Sequence, residues 1–142
     1  MRDQANILHP VPLIAPVAAR TDNTPIVSAI VDRRGFEAMT LVLVTGTNTD
    51  ANATFAVLVE DGNDPALADA APVADIFLVG TEALAGFTFA DDVECRKIGY
   101  VGGKRYVRAT VTPSGNDSGN IFLAGVAILG EPALAPTPNP PQ

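Results

Sequence analysis

The chain has 142 residues, 47% of them hydrophobic and 18% charged, which is too apolar and too lightly charged for intrinsic disorder and long enough for one domain with a real core. Cys95 and His9 are the only cysteine and histidine, which excludes an intramolecular disulfide and a His/Cys metal centre. A net charge of −7 and a pI near 4.4 argue against a protein that coats nucleic acid or an anionic membrane.

Residues 1–25 read as an extended arm. Pro10, Pro12, Pro16 and Pro25 fix φ and remove backbone donors, so neither a helix nor a central strand fits. The arm is nonetheless apolar through Ile7, Leu8, Val11, Leu13 and Ile14. An apolar extended segment lies on something, either its own domain or a neighbouring subunit.

Strands follow over residues 26–130. Ile26–Asp32 is rich in β-branched residues and ends at the turn Arg33-Arg34-Gly35. Phe36–Thr45 is a longer apolar run, and Thr54–Glu60 alternates with Phe55, Val57 and Val59 on one face. Ala66–Ala74 is rich in alanine and reads as a short helical turn limited by Pro72. Asp75–Val79 and Phe87–Phe89 read as short strands. Lys97–Val101 and Arg105–Thr112 flank Gly102-Gly103, a two-residue hairpin signal. Ile121–Leu129 reads as a strand buried on both faces, and residues 131–142 as a Pro-rich polyproline or disordered tail. About seven or eight strands with turn signals every ~8–12 residues give an all-β fold, an antiparallel sandwich or barrel; the sandwich, jelly-roll-like, is the expectation.

The longest apolar run, Ile121–Leu129, is about half of the ~20 residues that a membrane-spanning helix needs. No signal peptide is evident, since prolines interrupt the apolar stretch near the N-terminus. Synthesis in a reducing cytoplasm is expected, with the sequons at Asn52 and Asn116 read as loop chemistry.

Charge is unevenly spread. Residues 35–95 carry eleven acidic and no basic side chains, whereas residues 96–108 carry five basic and no acidic ones. This is either ordinary surface or a polarised molecule that docks by charge complementarity. Catalytic patterns are thin. Asp117-Ser118-Gly119 lacks a neighbouring base and reads as a turn. Asn48-x-Asp50-x-Asn52 begins like a calcium loop, but Ala53 and Val59 stand where glycine and glutamate belong. Asp91, Asp92 and Glu94 read as a solvated turn rather than a glycosidase pair. Gly99–Lys104 lacks the spacing of a phosphate loop. No catalytic residue, cofactor or metal is expected.

The segment Ile98–Pro113, with its Gly99-Tyr100, glycine turn, Lys104-Arg105-Tyr106 and alternating strand, resembles a phrase in small capsid-associated proteins of tailed bacteriophages, as does Ala127–Pro132. The likeness runs from about Thr24 to Pro132. It implies a head decoration or cement protein of siphophages: a β-sandwich on the outer capsid surface, made in the bacterial host cytoplasm. The major capsid protein would be its partner, with further copies of the chain as lattice neighbours. Under that reading Ile7, Leu8, Val11, Leu13 and Ile14 cover a hydrophobic groove of a neighbour. Lys104, Arg105 and Arg108 meet acidic capsid residues, joined by Arg33 and Arg34 if their turn lies at the same end. A neck or tail-completion protein and a carbohydrate-binding sandwich are the alternatives, the latter disfavoured by the absence of Trp.

Overall fold

The run Phe36–Thr45 forms strand β4, and its alternation sends Met39, Leu41 and Leu43 inward. In the computed structural model, which describes residues 2–141, β4 is the middle strand of a five-stranded sheet. Across that sheet lie β1 (His9–Ile14), β11 (Leu123–Pro132), β4, β9 (Cys95–Tyr100) and β7 (Leu78–Val79), in that order. The second sheet has six strands. Its long members are β10 (Tyr106–Ser114) and β5 (Thr54–Gly62). β2 (Ile26–Val27) and β3 (Val31–Asp32) pair with β10; β6 (Ala71–Pro72) and β8 (Phe87–Thr88) pair with β5. Pairing is antiparallel in both sheets.

The expected all-β antiparallel sandwich is what forms. Phe55, Val57 and Val59 of β5 and Val107, Ala109 and Val111 of β10 face Leu41, Leu43, Leu123 and Leu129 from the other sheet. Phe55 and Phe87 stack with ring centroids 4.6 Å apart. Each of these Val, Leu and Phe side chains buried on folding contributes about 1.5–3 kcal/mol.

Several elements differ from the sequence expectation. Residues 9–14 of the expected arm are an edge strand, paired with β11 from His9↔Leu129 onward. Prolines 10 and 12 are compatible with this because an edge strand needs donors on one side only. Leu13 and Ile14 are buried, and the Leu13 carbonyl accepts the Ala29 N–H, which fastens the segment between the sheets. Ile26–Asp32 is interrupted at Ser28, whose hydroxyl accepts the Ala109 N–H and donates to the Ala29 carbonyl. Gly102-Gly103 is not a hairpin turn: β9 belongs to one sheet and β10 to the other, so the glycines carry the chain across the sandwich. Gly102 is required there because a Cβ would stand 2.4 Å from the Tyr100 hydroxyl oxygen.

No helix forms over residues 66–74. The helical turn is α1 (Glu82–Ala85), capped by the Thr81 side chain, which accepts the Leu84 N–H. Asp75–Phe77 is a 3-10 turn rather than strand. The last strand runs on to Pro132, into the expected tail. Beyond it Thr137 is buried, its N–H donating to the Asn6 carbonyl and its hydroxyl to that of Leu8.

Candidate functional site

The turn after β3 and the crossover after β9 meet at one end of the sandwich, because the Arg33 N–H donates to the Arg105 carbonyl at 3.1 Å. Arg33, Arg34, Lys104 and Arg105 are therefore neighbours. Their side chains differ in what they leave free. Arg33 lies over the Tyr100 ring, 5.0 Å from its centroid, and donates to the Gly102 carbonyl. Arg105 grips Asp32 through two bonds of 2.9 and 2.7 Å and covers Tyr106. The Arg105 hydrogen bond holds the Asp32 carboxyl below the usual range, and Asp32 in turn raises Arg105. Arg34 and Lys104 are exposed, and no ion pair among the described residues uses them. Arg108 lies on the outward side of β10 and is paired with Glu60 at 2.9 Å. Among the described residues, positive charge without a carboxylate partner at this end thus rests with Arg33, held against Tyr100 and the Gly102 carbonyl, and with the exposed Arg34 and Lys104.

The crossover is anchored beneath by Tyr100, which is 1% exposed. Its hydroxyl donates to Asp61 at 2.7 Å and accepts the Lys104 N–H at 3.1 Å. Burial, reinforced by Asp61, pushes its pKa up to about 12.

The apolar residues of the expected arm are mostly committed to this chain. Leu13 and Ile14 belong to its core rather than to a neighbour's groove, and Val11 packs against that core. Leu8 lies over Gly130, and Ile7 is half-buried. His9 stacks on Phe36 at 5.2 Å.

The acidic segment serves its own loops. The Asp50 carboxylate accepts the N–H groups of Ser118 at 2.7 Å and Asp117 at 3.0 Å, tying two distant loops together. Those bonds, Ser118 foremost, hold its pKa below the ordinary carboxylate value. The Asn48–Asn52 segment is thereby a loop clasp, and Ser118 sits in the turn it holds. Asp69 accepts the N–H groups of Asn63 and Asp64, and Glu82 accepts that of Val59 at 2.6 Å. Asp91 and Glu94 both pair with Arg96, and Asp92 accepts the Asn48 N–H. Short polar side chains capping nearby backbone are the general use of Asp and Asn in loops.

The surface that sequence reasoning missed is the outward face of the five-stranded sheet. The signal was present in the apolar residues at both parities of Ile121–Leu129 and Phe36–Thr45. The pattern of Ile121–Leu129 reads as cover on both sides, whereas β11 and β4 have the second sheet on one side only.

No protein-family model matches the chain, and no curated protein matches it. Among solved structures the chain is similar to the PBSX exported protein XepA, at 12% identity and TM-score 0.48, over 85% of this chain and 36% of that one. A xylanase 10C from Cellvibrio japonicus gives 12% identity and TM-score 0.48, over 90% and 28%. The xylan-binding module CBM15 gives 12% and 0.43, over 93% and 95%. The chain therefore spans about a third of the first two structures, and likeness at this distance says nothing about activity.

Proposed function

We propose that this chain is a structural virion protein that decorates and stabilises the outer surface of a tailed-phage capsid, with the major capsid protein as partner and the bacterial cytoplasm as its place of synthesis. The observation that carries the reading is the convergence of Arg33, Arg34, Lys104 and Arg105 at one end, with Arg34 and Lys104 unpaired. The segment resembling the phage phrase is the one that builds this end. Tyr100, Gly102 and Arg33 brace it from within, so its cations are presented by a rigid joint rather than a loose loop. Rigid presentation lowers the entropy lost on docking, and charge sets orientation. Many copies on a lattice make individually weak contacts sufficient. The reading requires no catalytic group.

The test is stoichiometry. Mass spectrometry of purified particles from the source of this chain is expected to find hundreds of copies per capsid. A ring-sized number of copies would replace decoration by a neck or tail-completion role. Absence from particles, with retention on a xylan affinity gel, would replace it by a carbohydrate-binding module.

A further inference from the structure

The sandwich is open along one edge. There β1 ends the five-stranded sheet, and β2 and β3 end the other. One bond stitches the two edges, where the Leu13 carbonyl accepts the Ala29 N–H at 2.9 Å. Past that bond, toward the turn at residues 33–35, the sheets part around a slot of about 350 Å³. Ligand pockets run from about 300 to 1,000 Å³, so this one suits a small molecule.

The lining specifies what fits. The core residues Leu129 and Val31 form the floor, with Val11 of β1 and the exposed Ile30 on facing sides. Three polar side chains reach the slot: Asp32, Arg34 and His9. Asp32 is already spent, because its oxygens take two bonds from Arg105 and a third from the Arg34 N–H. Arg34 is exposed, and no ion pair among the described residues uses its guanidinium.

His9 is 6% exposed and stacks on Phe36, which also lines the slot. Its Nδ1 is enclosed without a partner. Nε2 is engaged by no protein group either, yet it is not enclosed, so it keeps access to the slot. A neutral imidazole carries its proton on one nitrogen and a lone pair on the other. Orphaned N–H groups are rarer in protein interiors than orphaned acceptors, so the proton is assigned to Nε2. An N–H donor and an unpaired guanidinium then share a cavity whose remaining walls are apolar. Both donate to a carboxylate, and charge-assisted bonds of that kind are the strong ones. The ring pair and the aliphatic walls favour an apolar body behind that carboxylate. The stitch at Leu13 and Ala29 closes one end, so the slot takes one short body rather than a length of extended chain.

We propose that this slot is a binding site for a small carboxylate with an aromatic or branched aliphatic body, the body lying between β1 and β3 and the carboxylate held by Arg34 and His9 Nε2. The site goes beyond the capsid reading and stands without it. Lys104, the other exposed cation of this end, lines a different cavity beside Asp61.

Calorimetric titration and amide spectra of the full chain with phenylacetate test it. The expected result is saturable one-to-one binding with a Kd of about 1 mM or tighter, and amide shifts at residues 9–12 and 30–34. Phenylacetamide, which has the body without the charge, is expected to bind about tenfold more weakly or worse, as is acetate, which has the charge without the body. Arg34→Ala is expected to weaken phenylacetate about tenfold, and Lys104→Ala to leave it unchanged. His9→Phe keeps the ring pair and removes Nε2–H, so binding weakens while the thermal midpoint is not lowered. Should that change disturb β1, Ile30→Asp at an exposed position places a carboxylate in the slot and is expected to abolish binding with circular dichroism unchanged. Absence of saturable binding overturns the proposal, as do shifts confined to other residues and equal affinity for the acid and its amide. Binding that survives both Arg34→Ala and Ile30→Asp overturns it too.

Discussion

The Tyr100 hydroxyl donates a 2.7 Å hydrogen bond to the Asp61 carboxylate, joining β9 of one sheet to β5 of the other. The same oxygen receives the Lys104 N–H, so a single side chain sets both the sheet-to-sheet contact and the path of the crossover. Tyr100→Phe keeps the ring and the stacking of Arg33 but leaves Asp61 and the Lys104 N–H without their partner. A loss of about 1–3 kcal/mol is expected in urea unfolding, with little change in the denaturant slope.

The same tyrosine fixes the alkaline limit. Its pKa is raised to about 12 by burial and by Asp61, against about 10 in an unfolded chain. Since the folded form binds this proton more tightly, the contribution is complete below pH ~10 and is lost as pH rises toward ~12. Chemical denaturation midpoints from pH 9 upward are expected to fall in the native chain, and to fall less steeply in Tyr100→Phe.

Deleting residues 1–20 is expected to unfold the protein rather than to free a domain from its arm. The deletion removes β1, takes Leu13 and Ile14 out of the core and exposes the edge of β11. Two buried aliphatic residues lost together exceed about 4 kcal/mol, a large part of the stability of a domain this size. Far-UV circular dichroism and proteolysis check this; a truncated chain with native strand signal and full resistance would show that β1 is dispensable.

The sequence was legible where one periodicity and one boundary acted alone. Phe36–Thr45 is β4 residue for residue, and Thr54–Glu60 is most of β5. It was less legible where long-range contacts chose between local options. Prolines 10 and 12 do indicate extended chain, but only the partner β11 decides between a free arm and an edge strand. Gly102-Gly103 has the composition of a tight turn, yet Tyr100, buried across the interface, draws the chain into the other sheet. Alanine richness over Ala66–Ala74 gave way to Asp64 and Asp69, whose carboxylates take backbone N–H groups and hold a non-helical loop. Of the candidate site, the basic cluster was visible as composition. That Arg105 and Arg108 are neutralised by Asp32 and Glu60 was not, because those partners lie far off in sequence.

Asp50 tests how much the acidic segment owes to loop closure. Asp50→Ala removes the acceptor for the Asp117 and Ser118 N–H groups and parts the Asn48–Asn52 loop from the Asn116–Asn120 loop. The expected outcome is a lower thermal midpoint and faster amide exchange at Asp117 and Ser118, with the exposed Asp75→Ala neutral. Asp22, Asp32, Asp50, Asp69 and Asp91 all have pKa values below the ordinary 3.8. Their contribution is therefore present above the unfolded value and is lost as pH falls below it. Thermal scans at descending pH are expected to show a sharper loss of stability in the native chain than in Asp50→Ala.

The cations at the joined turns separate docking from folding. Arg105 and Arg108 each hold a carboxylate of this chain, so Arg105→Ala and Arg108→Ala are expected to act on stability, modestly, since water screens ion pairs near the surface. Arg34 and Lys104 hold none, so reversing them costs the fold little. If the chain docks on a capsid as proposed, Arg34→Glu with Lys104→Glu is expected to lower the association rate about tenfold or more at low salt, because steering acts on the encounter before any contact forms. Raising ionic strength shortens the screening length and is expected to erase most of the difference between native and variant. Binding kinetics on undecorated heads over a salt series measure this, and rates that ignore both the reversal and the salt would overturn docking through these cations.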